Sequence, residues 1–265
     1  MRPELREREP HRHVVQFYGQ DSHLLVRNVS RYLGEGLTRG ECAVVVATPA
    51  HRDAFTRQME EDGMNPAKAV REKRLIFRDA EDTLAQFMLN GQPDRERFES
   101  TVGSLIRELR MSRGCAGVRA YGEMVDLLWN AGHSSAADRL ERFWNKLLAA
   151  EGFRLFCAYQ IDIFGKEFQV GVLDEVMCTH THVLSAADDG SLETAVNRAL
   201  DEVLGEKVHE LKTLIKANFR PSWAVVPRAE ATVLWLRNNL PEYADEILTR
   251  ARQHYRGVAA AGSIH

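Results

Sequence analysis

Two patterns of hydrophobic and polar positions alternate along this chain. Short, nearly unbroken apolar runs such as Cys42-Ala43-Val44-Val45-Val46-Ala47 suit central strands of a parallel sheet covered on both faces. Longer stretches carry apolar residues every three or four positions, the period of an amphipathic helix. Strands are predicted over 13–18, 41–47, 74–79, 117–121 and 153–160. Asp21 or Ser22 caps a first helix with Leu24, Leu25, Val29, Tyr32 and Leu33 on one face, and Gly34, Gly36 and Gly40 are expected to break it. Thr48-Pro49 opens a second helix, to about Asp62, with proline at a first-turn position. Further helices are expected over 80–89, 95–111, 123–130 and 135–150, with a turn at Asn90-Gly91-Gln92-Pro93.

This β-α alternation predicts an α/β fold, a mainly parallel sheet with helices on both faces. The texture changes near residue 185. Ala186 to Gly190 reads as a linker, and 192–217, 227–239 and 242–256 read as three helices punctuated by Pro221, Pro227 and Pro241. The expected organisation is a polar arm over 1–12, an α/β domain over 13–184, and an all-helical appendage over 185–265.

Composition narrows the function classes. Of the 265 residues 44% are hydrophobic and 28% charged, which is globular and ample for a core. A net charge of −3 supplies no field for a polyanion, so no direct nucleic-acid partner is expected. Cys42, Cys115, Cys157 and Cys178 lack CxxC spacing and read as reduced thiols. Met1 to Pro10 has no apolar signal-like core, and no run reaches 18 apolar residues. The expectation is a cytoplasmic protein with no membrane partner.

Candidate chemistry centres on Gly117 to Trp129, where a strand ending in Tyr121-Gly122-Glu123 passes straight into a helix. Open α/β sheets bind ligands beyond the carboxyl ends of their strands. A carboxylate there must be paired, hydrated or ligand-facing, because burying it alone is costly. Tyr18, Tyr121 and Tyr159 fall at predicted strand ends, where aromatic rings with polar tips can line a pocket. Trp129 lies two helical turns beyond Tyr121, and His13 opens the first strand as a candidate partner for a carboxylate such as Glu123. Together His13, Tyr18, Tyr121, Glu123, Trp129 and Tyr159 are the candidate ligand-binding residues; each has a plainer reading as core packing.

Three other motifs carry less. Gly36-Leu37-Thr38-Arg39-Gly40 leads into a strand as in RecA/KaiC-like ATPases, but the turn Ala47 to Asp53 has no glycine and no Lys-Ser/Thr, and Pro49 removes an N–H donor. Tight nucleotide binding of the phosphate-loop kind is not expected. Cys178, His180 and His182 mimic metal-ligand spacing without a second cluster, so no metal and no cofactor are expected. His209-Glu210-Leu211-Lys212-Thr213-Leu214 is similar to the phospho-accepting box of histidine kinases, with leucine where that box has proline; His209 is a weak phospho-acceptor candidate.

His13 to Tyr18, Ala47-Thr48-Pro49, Arg119 to Val125 with Trp129, Trp144-Asn145, Cys157-Ala158-Tyr159 and Cys178 to His182 follow one another in an order that resembles the MEDS domain, the methanogen/methylotroph, DcmR-type sensory family. The likeness covers roughly residues 11 to 183 and leaves the tail unassigned. It implies a degenerate RecA/KaiC-like fold without a phosphate loop, serving as a sensory input to transcription or kinase pathways, with no established catalytic activity. The expected function is therefore a non-enzymatic sensory module that binds a small molecule or a partner protein. A downstream signalling protein would receive the output, and the helical tail offers a route to a homodimer. The rival classes are an enzyme, with residual nucleotide use or hydrolysis at Glu123 assisted by His13 or His51, and a pure interaction scaffold. Calorimetry with nucleotide separates the enzyme from the others, and a ligand-dependent melting shift separates sensor from scaffold.

Overall fold

A computed structural model describes residues 13–112, 114–186, 190–205, 208 and 226–262. The first strand is β1 (His13–Phe17), followed by α1 (His23–Thr38), β2 (Cys42–Ala47), α2 (Pro49–Glu61), α3 (Pro66–Arg71) and β3 (Leu75–Asp79). Next come α4 (Ala80–Phe87), a two-residue hairpin of β4 (Met88–Leu89) and β5 (Gln92–Pro93), α5 (Arg95–Phe98), a π-helical turn over Glu99–Gly103 and α6 (Ser104–Met111). Strand β6 (Val118–Gly122) leads to α7 (Met124–Asn130), α8 (Ser134–Glu151), β7 (Arg154–Tyr159), α9 (Val170–Thr179) and β8 (His182–Leu184). Three further helices are described: α10 (Ser191–Leu204), α11 (Arg228–Asn239) and α12 (Pro241–Gly262).

The protein is an α/β fold with a C-terminal helical appendage. Six strands form one parallel sheet in the order β3-β2-β6-β7-β1-β8. The sequence boundary near 185 lies between β8 and α10. By packing, the chain forms two compact units. One holds Val26–Cys157 with His13 and Val14; the other holds Val15–Leu25 with the described residues from Ala158 onward.

In the first unit β2 is central, pairing in parallel with β3 on one side and β6 on the other. All six of its residues are buried, as its unbroken apolar run requires. The expected break at Gly34 and Gly36 does not occur, because α1 runs through both to Thr38. Their smallness is used in packing instead. A Cβ at Gly34 would collide with the Met64 side chain, and one at Gly36 would lie 2.7 Å from Arg119 Cδ and Nε. Arg119 is buried there, ion-paired to Glu41, with its Nη1 donating to the Tyr32 carbonyl at 2.6 Å and its guanidinium over the Tyr32 ring. Only Gly40, at φ +80°, leaves the helical conformation.

Other boundaries moved for local reasons. Helix α4 stops at Phe87 rather than 89, because Asn90 and Gly91 take positive φ values (51° and 76°) and close a hairpin. Helix α3 was not expected, although Asn65-Pro66 signals it: Asn65 Oδ1 accepts from the Lys68 N–H at 2.8 Å and Pro66 occupies a first-turn position. Helix α9 was also missed.

The second unit is built on the apolar faces of α10 (Leu192, Ala195, Val196, Ala199, Leu200), α11 (Val233, Leu234, Leu236) and α12 (Ala244, Ile247, Leu248, Ala251). Polar ties accompany this packing. The buried Glu230 carboxylate accepts from Ser185 Oγ at 2.9 Å and the Ala186 N–H at 2.7 Å, and Arg237 donates to the Phe164 carbonyl at 3.0 Å. Burial raises the pKa of Glu230, against the lowering effect of those bonds.

Candidate functional site

The parallel register of β2 and β6 builds the site. Val46 lies opposite Gly122, so the residues just beyond each strand, Thr48 and Glu123, emerge side by side. The Glu123 N–H donates to the Val46 carbonyl at 3.2 Å, which extends the ladder past the strand end. Here α2 begins. Thr48 is its N-cap but makes no side-chain cap bond, and the first turn carries no acidic residue. The Glu123 carboxylate takes over that task from across the sheet: Oε1 accepts from the Thr48 N–H. A carboxylate is favoured at this end of a helix, where unsatisfied N–H groups concentrate positive charge.

The other carboxylate oxygen is shared. Tyr121 Oη donates to Glu123 Oε2 at 3.0 Å, and His51 Nδ1, in the first turn of α2, lies 2.6 Å from the same atom. Glu123 and Tyr121 are buried, while the His51 side chain keeps 17% of its surface exposed. His51 stacks on Phe55 at 5.6 Å, and Phe55 meets the Tyr121 ring edge-on at 5.0 Å, so the imidazole is held on both its polar and its apolar side. Burial lowers the His51 pKa, but the bond to Glu123 and the charges of Glu123 and Asp126 outweigh it, and the net shift is upward. The imidazolium–carboxylate pair is therefore the favoured state over a wider pH range than for a free histidine.

This arrangement occupies the helix start that a phosphate would need. Where a phosphate-binding turn would present a helix N-terminus to a nucleotide, α2 presents its N-terminus to the chain's own carboxylate. An incoming phosphate would have to displace Glu123, leave that charge buried without the Thr48 N–H, and meet its repulsion.

The predicted site residues do not all gather here. Tyr121 and Glu123 adjoin, and Trp129, on α7, is only half-buried. His13 is buried with a different carboxylate: its Nε2 lies 3.4 Å from Glu141 Oε2 and 3.3 Å from Cys157 Sγ. Its Nδ1 donates to Asn145 Oδ1 at 3.0 Å. Tyr18 and Tyr159 belong to the second unit, where the Tyr18 N–H donates to the Tyr159 carbonyl at 3.0 Å. There Phe17 packs against Tyr159 at 6.3 Å and edge-on against Phe168 at 5.3 Å, and the Tyr159 ring faces His180 at 6.5 Å. His180 Nδ1 is 2.6 Å from the Val176 carbonyl, closing the end of α9. His209 lies outside the described residues.

Sequence reasoning missed the Thr48 N–H, and placed His51 beside Glu123 only within the rival enzyme reading. The signal was present in retrospect: a helix start without an acidic residue or a side-chain cap needs an anion from elsewhere.

Fold and site define a class, a parallel α/β domain in which the helix start beyond the central strand is capped by the chain's own carboxylate. Residues 12–181, more than half of the chain, match the MEDS family, the MEthanogen/methylotroph, DcmR Sensory domain. The chain belongs to that family, whose role is sensory. A search of the curated proteins finds none that matches. Among the described residues no helix is long and apolar enough to cross a membrane.

Proposed function

We propose that the protein is a non-enzymatic sensory module on a degenerate RecA-like scaffold, and that it responds to a small molecule at the Glu123–His51–Tyr121 cluster beyond the ends of β2 and β6. The observation that carries this reading is the buried Glu123 carboxylate joining two strand ends, the start of α2 and a partly exposed imidazole. A ligand that hydrogen-bonds to His51 or Glu123 competes with bonds that position α2. Binding is thereby converted into a shift of a helix, the kind of bistable element that signalling needs. The tail helices serve as the output or dimerisation element, and a transcription or kinase pathway in the cytoplasm receives the signal.

Native mass spectrometry of freshly purified full-length protein tests for a retained small molecule. Glu123→Gln, which keeps the shape and removes the charge, should abolish the response in a signalling assay while the chain stays folded. A folded Glu123→Gln protein that signals normally overturns the assignment. Deleting residues 191–265 should alter the oligomeric state of a folded sensor; a truncated chain that cannot fold would make the tail part of the sensor's own core.

One observation favours a second reading. The 2.6 Å carboxylate–imidazole contact with the histidine partly exposed is the geometry of an oriented general base. If the site is hydrolytic, the purified chain turns over activated ester or phosphate probes, and His51→Gln removes that turnover.

A further inference from the structure

The buried cluster at the start of β1 does something the His51 site does not: it points three potential metal-ligand atoms at one another. His13 Nε2, a Glu141 carboxylate oxygen and Cys157 Sγ all lie within 4.8 Å of one another, and all three residues are buried. The contacts from Nε2 are 3.3 Å to Sγ and 3.4 Å to Oε2. Zinc bonds of about 2.0–2.1 Å to nitrogen, 2.3 Å to sulfur and 2.0–2.2 Å to oxygen, set at tetrahedral angles, place neighbouring ligand atoms roughly 3.3–3.6 Å apart. The nitrogen–oxygen edge already has that length, and the nitrogen–sulfur edge at 3.3 Å needs to open by only about 0.2–0.3 Å.

The protonation pattern is also suited to a cation. Asn145 Oδ1 can only accept, so His13 carries a proton on Nδ1, and in the neutral imidazole Nε2 is then the nitrogen that faces the thiol and the carboxylate with its lone pair. A ligating histidine is characteristically oriented in this way, its second nitrogen tied to a side-chain or backbone oxygen. Asn145 follows Glu141 by four residues on α8, so one helix face supplies both a ligand and the residue that orients another.

We infer that His13, Glu141 and Cys157 form a binding site for one divalent transition cation of the zinc class, with Asn145 as the positioning residue. Imidazole and thiolate select such an ion over magnesium or calcium, which prefer oxygen alone. When the ion binds, the Cys157 S–H bond breaks, its proton leaves to solvent, and the S–metal bond forms. Nothing is oxidised or reduced. The fourth donor of a tetrahedron comes from outside this set. The site is separate from the Glu123 cluster and does not depend on the sensory reading.

The test uses the full-length chain with any affinity tag removed, loaded with zinc or cobalt(II) and dialysed. The expected result is close to one equivalent of zinc by mass spectrometry of the elements, and a near-ultraviolet thiolate-to-cobalt band. That band should vanish in Cys157→Ser and persist in Cys178→Ser, which alters an exposed cysteine. Asn145→Ala should weaken cobalt binding about 10–100-fold while keeping the band at saturation. Because the Cys157 variant can fail to fold, X-ray absorption of the zinc-loaded wild type is the second measurement: one sulfur at about 2.3 Å beside nitrogen and oxygen at about 2.0–2.2 Å. A folded wild-type chain without stoichiometric metal, a zinc shell without sulfur, or a cobalt band that survives Cys157→Ser overturns the proposal. In any of those cases the cluster is a buried histidine–carboxylate pair.

Discussion

Two histidine–carboxylate contacts in the first unit meet the same problem, a buried acid, in different ways. Glu123 is met by a helix N-terminus, a phenol and a half-open imidazole, all groups that donate hydrogen bonds. Glu141 faces an imidazole and a thiol in a fully buried setting, and the Asn145 bond on Nδ1 turns the imidazole's Nε2 inward. The first cluster can neutralise its charge with protons already in place. In the second, three atoms of metal-ligand type face one another, the arrangement on which the inferred cation site rests. Burial of Cys157, with Glu141 nearby, pushes its thiol well above the ordinary range. The lesson is that the donor–acceptor balance around a buried carboxylate, more than its depth, says what it is for.

The sharpest way to break this comparison is to remove the first acid. Glu123→Ala should cost about 3–5 kcal/mol, because it strands the Thr48 N–H and the Tyr121 hydroxyl and breaks a largely buried ion pair. Urea titration of the purified chain measures it. A loss below about 1 kcal/mol would mean that water already shares those bonds. Glu123→Gln, which still offers an oxygen to the Thr48 N–H, should cost clearly less.

The second cluster should answer to metal instead. Zinc at a hundred times its dissociation constant should add about 2.7 kcal/mol of stability over the chelated protein. His51→Gln should leave that increment unchanged, since independent sites add. An increment that disappears in His51→Gln would show the two clusters to be one coupled system.

Protons should act on the first cluster. His51 has a folded-state pKa raised above its ordinary value of about 6.5, so its pairing with Glu123 stabilises the fold fully below that pH. The contribution is lost as pH rises through the higher folded value. Melting temperature should therefore decline over that window in the wild type and decline less in His51→Gln; equal slopes would count against the imidazolium–Glu123 pair.

The smallest effect belongs to Tyr121→Phe. It deletes one hydroxyl and its bond to Glu123, about 0.5–1.5 kcal/mol by urea titration, while the packing of the ring on Phe55 stays. A larger loss would mean that the hydroxyl also holds Glu123 in place for the Thr48 N–H.

Much of this was legible in the chain itself. The apolar run 42–47 read as a doubly covered strand, the period of 135–150 as an amphipathic helix that the fold extends by one residue at each end, and Tyr121-Gly122-Glu123 stood at a strand end because the pattern changed there. Local stereochemistry and hydrophobic burial act over a few residues, so sequence carries them directly. Tertiary structure decided the partners. Glu123 meets His51 across 72 positions, and His13 meets Cys157 across 144, because parallel strands bring together segments distant in sequence. It also decided that Gly34 and Gly36 stay helical, since their worth lies in the side chains of Met64 and Arg119 that approach them. Spacing along a chain does not record which atoms a register will place face to face, and at both clusters that placement sets the chemistry.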